Sequence, residues 1–220
     1  MEELKKFAKG LSELKIEFDS EQFRQIETFI NEIYLFNPTH KLVNATGQQL
    51  IIKHFLDSIA PYYILKGLFA NYDENQIICD LGSGGGFPAV VLAIAFKKRH
   101  FVLIERSEKR AQFLQSCITL CNLNNRVEVI NRDFTQIKNR YKIVTFRAVS
   151  PLSSIMGLIS PILAEGGVVC AYKGKSNNVQ KEVEALNLSD KQHKWRVEIE
   201  EIEVPFLDSE RSLVILKKDN

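Results

Sequence analysis

With 220 residues, 45% of them hydrophobic and 25% charged, the chain suits one domain of ordinary size plus an extension, with ample apolar content for a core. A formal net charge of only +2 excludes the global basicity that advertises nucleic-acid binding, and four cysteines without framework spacing exclude a disulfide scaffold and point to reduced thiols. No apolar signal core follows Met1, and the uncharged stretch 148–164 is interrupted by Pro151, Gly157 and Pro161, a poor membrane span, so a soluble cytoplasmic protein is expected.

Leu4, Phe7, Ala8, Leu11 and Leu14 fall at helical spacing, as do Phe23, Ile26, Ile30 and Ile33. Asp19 or Ser20 can cap the second helix, with Glu21 in its first turn. Such stripes either pack a core or dock a partner. Charge is uneven: residues 1–36 hold 5 Lys/Arg against 8 Asp/Glu, so the larger remainder is positive and biased toward an anionic partner. Asn37-Pro38-Thr39 is expected to break the second helix. Residues 47–59 read as another, carrying His54 and Asp57 three apart on one face. That pair can make a local hydrogen bond near a helix end or line the entrance to a site.

The stretch 77–94 organises the chain. Ile77 to Leu81, with Asp80 near its end, suits a buried parallel strand. Gly82, Gly84, Gly85 and Gly86 follow, and Pro88 fits the first turn of an apolar helix. Strand, glycine turn and helix together let a cofactor lie against bare backbone at a helix N-terminus. The dinucleotide fingerprint wants a third glycine where Phe87 stands. The pattern Gly82-x-Gly84-x-Gly86 after Asp80 instead resembles motif I of the class I methyltransferases that use S-adenosylmethionine (SAM).

Lys97-Lys98-Arg99 precede the next strand, His100 to Ile104, and read as solvated charge at the amino edge of the sheet. Glu105 ends that strand, where an acid accepts hydrogen bonds from ribose hydroxyls. Cys117 and Cys121 are four apart in a helix from Lys109 to Leu123; with no histidine or third cysteine nearby they read as buried thiols, and no metal is expected. After a third strand, 126–130, the loop Asn131-Arg132-Asp133-Phe134 falls where an adenine ring would rest. Asp133 can accept from the adenine amine while Phe134 packs on the ring. A fourth strand, 143–146, ends at Arg147 on the carboxyl edge, placed for a phosphate, carboxylate or base, or for a strand-end salt bridge.

A helix from Ser150-Pro151, a fifth strand 168–172, Lys173-Gly174-Lys175 and a helix 178–186 come next. Strands 195–204 and 212–217 are joined by six residues, too few for a helical crossover, and so pair as an antiparallel hairpin. The expected fold is α/β, Rossmann-like, with a seven-stranded, mostly parallel sheet and an antiparallel last strand. Residues 1–60 form a helical extension and 61–220 the catalytic domain, in one compact unit.

Five stretches together resemble one family. They are Lys53-His54-Phe55-Leu56-Asp57-Ser58, Asp80 to Pro88, Glu105-Arg106-Ser107-Glu108-Lys109-Arg110, Arg147-Ala148 and Glu210-Arg211-Ser212-Leu213-Val214. Their order and spacing resemble the RsmG (GidB, glucose-inhibited division protein B) family, whose members are described as guanine-N7 methyltransferases of 16S ribosomal RNA. The resemblance implies SAM as cofactor and the small ribosomal subunit or its 16S rRNA as partner; a monomer without metal or membrane is expected. It places cofactor contacts at Gly82, Phe87, the Asp133–Phe134 pair and Arg147, which join Asp80, Gly84 and Glu105 from the strand and loop pattern above. It puts Arg132 and Arg211 near the substrate. Arg132 and Arg147 are read as catalytic positioning residues and His54 and Asp57 as substrate-side candidates, while Lys173 and Lys175, which follow a strand at the active edge, are assigned to RNA phosphates. The chain departs from the family's usual sequence at Lys41-Leu42-Val43-Asn44 and at Ala89.

Guanine N7 has an available lone pair, so alignment and exclusion of water would suffice and no catalytic base is expected. Three other readings stand beside this one. They are a nicotinamide-dependent reductase, a silent SAM- or RNA-binding module, and a SAM methyltransferase for another RNA or a small molecule.

Overall fold

The computed structural model describes residues 2–189 and 195–218, without the side chain of Ser176. The helices are α1 (Glu2–Glu13), α2 (Ser20–His40), α3 (Gly47–Leu50), α4 (Asp57–Ile59), α5 (Tyr62–Phe69), α6 (Ala89–Ala95), α7 (Glu108–Leu120), α8 (Leu152–Ile159) and α9 (Ser176–Ser189). The strands are β1 (Ile78–Leu81), β2 (Phe101–Ile104), β3 (Val127–Ile130), β4 (Tyr141–Arg147), β5 (Leu163–Lys173), β6 (Trp195–Ile202) and β7 (Arg211–Lys218). They form one sheet in the order β3-β2-β1-β4-β5-β7-β6, with β7 antiparallel to both of its neighbours.

Both faces of this sheet are covered, which is why its central strands are apolar on both sides. Alternation with period two sends Ile78, Leu103 and Ile143 to the core shared with α1, α2 and α6, and Cys79, Val102 and Val144 to the core under α8 and α9. The N-terminal helices belong to the first core: Phe7, Leu11, Ile26 and Phe29 are buried with Phe87 and Val90. Asp19 caps α2 in a capping box with Gln22. The Gln22 and Gln25 amides then donate, at 2.9 Å each, to the carbonyls of Ile94 and Cys121, satisfying the C-terminal ends of α6 and α7.

Two local expectations are corrected. Pro38 does not end α2, which runs on to His40 and stops at Lys41 in the left-handed region. A proline so near the end removes a single ladder bond, while Asn37 exchanges two side-chain bonds with Val43 that fix the exit. Arg99 is buried, not solvated. Its guanidinium donates to the carbonyls of Phe69, Tyr72 and Asp73 at 2.5, 3.1 and 2.6 Å, a cation on the exposed carbonyls past the end of α5. Lys97 pairs with Asp19 and Lys98 faces Glu74.

The turn between α3 and α4, Ile51–Leu56, is a π-helix, so residues 47–59 are helical throughout but locally widened. Such turns often mark functional sites. This one carries His54 and delivers Asp57.

Candidate active site

The order reverses between β1 and β4, and open α/β sheets bind ligands at that point, beyond the carboxyl ends of the strands. Gly82, Gly84 and Gly86 there have φ of +65°, +55° and +86°. Gly86 is the most constrained. A Cβ on it would lie 2.8 Å from Val90 and 2.9 Å from Phe29, so the loop is drawn down onto the core.

Asp80 lies beneath this loop and is 1% exposed. In-register pairing of β1 with β4 sets it opposite Thr145, whose hydroxyl donates to Oδ1 at 2.7 Å. Oδ2 is buried without a partner among the described residues. Burial pushes the carboxyl up to about 6.

Glu105 is also buried. Its Oε2 accepts the Gly84 N–H and its Oε1 the Ser107 N–H, both at 2.8 Å, so it ties the glycine loop to the start of α7. Each oxygen keeps a further lone pair. That cleft, 440 Å³, is lined by Gly82, Glu105, Asp133, Phe134, Val149 and Leu158 among others. Asp133 caps a short turn through Thr135, which with Arg106 nearby holds its carboxyl below the usual range. Leu158, 47% exposed on α8, is an apolar wall the sequence did not single out.

The second group gathers on Arg147. Its Nη1 donates to Asp57 Oδ2 at 2.8 Å and to the Lys53 carbonyl at 3.3 Å, and its Nη2 to His54 Nδ1 at 2.9 Å. Because a guanidinium only donates, His54 Nδ1 must be the acceptor and Nε2 carries the proton. Burial, followed by the charges of Arg147, Lys53 and Arg211, holds His54 down to about 3, so the ring is neutral. The Arg147 guanidinium also lies 5.3 Å from the centre of the Phe87 ring, and His54 packs on the same ring. Antiparallel β7 begins where β4 ends, which brings Arg211 to the other oxygen of Asp57, at 2.9 Å. His54, Asp57, Arg147 and Arg211 are thus one cluster.

Lys173 departs from its expected role on RNA phosphates. Its ammonium donates to Glu182 at 2.8 Å and to the Ser150 carbonyl at 3.0 Å, and only 11% of the side chain is exposed. Strand alternation turns it toward α9, where Glu182 waits. The same Glu182 oxygen accepts the Leu152 N–H at the start of α8. Lys175 is exposed.

A second cleft, 420 Å³, is lined by Lys53, Asp57, Arg147, Ala148, Tyr172, Lys173, Gly174 and Arg211. Ala148 lines both clefts and has φ +54°, a left-handed conformation unfavourable for a residue with a Cβ. Two clefts therefore meet at the end of β4, one over the glycine loop and one over a paired-arginine cluster. A larger groove, 570 Å³, lies beside the β6–β7 connection and is lined by Glu13, Glu201, Glu203 and Glu210, unsuited to an anionic ligand. Cys117 and Cys121 are buried in the first core, and no cluster fit to hold a metal occurs among the described residues. No helix among these residues is long and apolar enough to cross a membrane.

Comparison with known proteins adds to this geometry. Residues 22–214 match the GidB family model, described as rRNA small subunit methyltransferase G. The chain is 35% identical over 214 residues to "Ribosomal RNA small subunit methyltransferase G" of Borrelia recurrentis, covering 96% of each chain. It is 28% identical to the protein of that name from Bacillus licheniformis, covering 99% of this chain and 91% of that one. Among solved structures, an O-methyltransferase from Bacillus cereus in complex with SAH superposes with a TM-score of 0.61 at 17% identity, covering 95% of each chain. TYW2 of M. jannaschii in complex with AdoMet gives 0.52 at 18% identity, covering 72% of this chain and 75% of that one. These structural likenesses establish the fold, a class I SAM-methyltransferase sheet.

Proposed function

The chain belongs to the GidB family, rRNA small subunit methyltransferase G, and from that premise we propose that it transfers a methyl group from SAM to N7 of one guanosine in 16S rRNA of the small ribosomal subunit, acting as a cytoplasmic monomer. The observation that supports this most directly is the meeting of two clefts at Ala148, because methyl transfer needs donor and acceptor side by side at one wall.

The residues fit SAM. Asp80 offers a buried carboxylate oxygen without a partner among the described residues, the kind of atom a cationic group completes. Gly82 and Gly84 leave the backbone bare, Glu105 retains lone pairs for ribose hydroxyls, and Asp133 with Phe134 offers an acceptor and an apolar face for adenine. When bound, SAM supplies the electrophilic methyl group.

The chain's own task is then alignment. Guanine N7 needs no proton removed, which agrees with a site whose one histidine is neutral and already accepts a hydrogen bond from Arg147. An arginine reading guanine commonly takes O6 and N7 together. N7 must stay free here, and Asp57, His54 and the Lys53 carbonyl hold Arg147 so that only part of its donor set faces outward. We assign those donors to O6, a phosphate or the cofactor carboxylate. Arg132, Lys175 and Arg211 engage RNA, and the apolar walls of the two clefts, Val149, Leu158 and Tyr172, help to exclude water.

The test is transfer of labelled methyl from SAM to small subunits and to protein-free 16S rRNA from cells lacking this gene. Incorporation into 16S rRNA supports the assignment. Absence of transfer to either, with SAM still bound, would leave the fold and the cofactor but remove this substrate.

A further inference from the structure

The cations around the two clefts fall into two sets. Arg147 and Arg211 share Asp57, and Lys173 is paired with Glu182, so the cations at the end of β4 are held by carboxylates of the chain itself, although the side as a whole stays positive. Arg106, Arg110 and Arg132 are different. They line the cleft of Gly82, Glu105 and Phe134. The Arg106 side chain is 81% exposed, and its nearest carboxylate, Asp133, is 4.0 Å away. Arg110 and Arg132 have no ion pair among the described residues.

These three arginines are not explained by the cofactor. SAM carries no phosphate, its sulfonium is itself a cation, and its single carboxylate can occupy one bidentate guanidinium at most. Arg106 and Arg110 also flank the N-terminus of α7, whose peptide dipoles add positive potential at the same place. The chemistry that matches two guanidiniums at a helix start and a third in the loop after β3, all lining one cleft, is a run of phosphates.

We propose that Arg106, Arg110 and Arg132 form the phosphate track for the single-stranded segment of the RNA substrate, and that this track crosses the mouth of the cofactor cleft. The inference rests on the RNA reading above. It carries a consequence for binding order: RNA seated on these arginines covers the cleft, so SAM enters before RNA, and S-adenosylhomocysteine leaves after it.

The double variant Arg106→Gln, Arg110→Gln tests this by direct binding to protein-free 16S rRNA across a salt series, beside SAM affinity by calorimetry. RNA affinity should fall roughly tenfold near physiological salt, and the slope of log K against log salt should shrink by roughly 1.4, two single-strand phosphate contacts. SAM affinity should stay within about twofold, because the groups assigned to SAM in this cleft, Gly82, Glu105, Asp133 and Phe134, are all kept in the variant. Arg106→Lys with Arg110→Lys should restore the slope, separating charge from folding. In the wild type, RNA should slow release of S-adenosylhomocysteine, and the glutamine variant should lose that effect. An unchanged slope, or a SAM affinity that falls as far as the RNA affinity, would overturn the phosphate track. Release that RNA does not slow would overturn its placement across the mouth. A wild-type protein that fails to bind 16S rRNA would instead remove the substrate assignment, a distinct outcome.

Discussion

Asp57 and Arg147 are joined by a 2.8 Å ion pair that links the end of the π-turn to the last residue of β4 across 90 positions of sequence. Arg211 takes the other carboxylate oxygen, so one buried acid orients two guanidiniums on the side we assign to the substrate. Asp57→Asn should leave both without a counter-charge. We expect a fall in kcat of roughly 10–100-fold, about 1.4–2.8 kcal/mol of barrier, and a loss of about 3 kcal/mol in stability, the scale of a broken buried pair. SAM affinity should fall by less than kcat, because Arg147 is only one of several groups assigned to the cofactor. Steady-state kinetics with separate cofactor titration checks the split; equal losses in kcat and SAM affinity would contradict it.

His54 gives a pH test. Its folded value lies near 3, below its ordinary 6.5, so the unfolded chain takes up the proton first. Stability is therefore fully present above pH 6.5 and is lost as pH falls toward 3, by about 1.4 kcal/mol per unit from this group. Gln in its place keeps an acceptor for Arg147 but does not titrate. The stability difference between wild type and His54→Gln should be flat above pH 7 and move against the wild type between pH 6 and 4. Parallel curves would show that the ring is not held neutral.

Asp80 runs in the opposite sense. Its folded value is raised from 3.8 to about 6, so its unfavourable contribution grows as pH rises through that window and is complete above it. Asp80→Asn should raise stability at pH 7.5 by about 3 kcal/mol, roughly two units at 1.4 kcal/mol each, with no gain near pH 3.5. It should also weaken SAM binding at least tenfold, because the buried anion is lost. Denaturation at the two pH values together with calorimetry checks both halves.

The glycine loop separates packing from conformation. Gly86→Ala combines a left-handed φ with a Cβ inside 3 Å of Val90 and Phe29, and should cost about 2–4 kcal/mol. Gly84→Ala meets nothing closer than 3.7 Å and should cost only about 1–2 kcal/mol, from φ alone. Urea unfolding of both variants compares them.

Much of the site could be read from the chain because strand ends are easy to place. Asp80, Glu105 and Arg147 each lie at or next to the end of a short apolar run, and the sheet order brings those ends to one edge. Partners far apart in sequence could not be read in this way. Asp57 reaches Arg211 across 154 positions, and Arg99 finds carbonyls 26 to 30 positions back. Lys173 looked free because its acceptor sits on the next helix rather than beside it. The π-turn and the left-handed Ala148 leave no periodic signature, although a small residue directly after Arg147 is compatible with the tight turn there.

The most direct measurement is the position of the methyl group. Small-subunit RNA from cells lacking this gene, methylated by the purified protein, is reduced with borohydride and cleaved with aniline, which breaks the chain at 7-methylguanosine. A single new break in 16S rRNA, appearing only with SAM present, is the predicted result. Label in the RNA without any aniline-sensitive break would place the methyl on another atom and contradict the account.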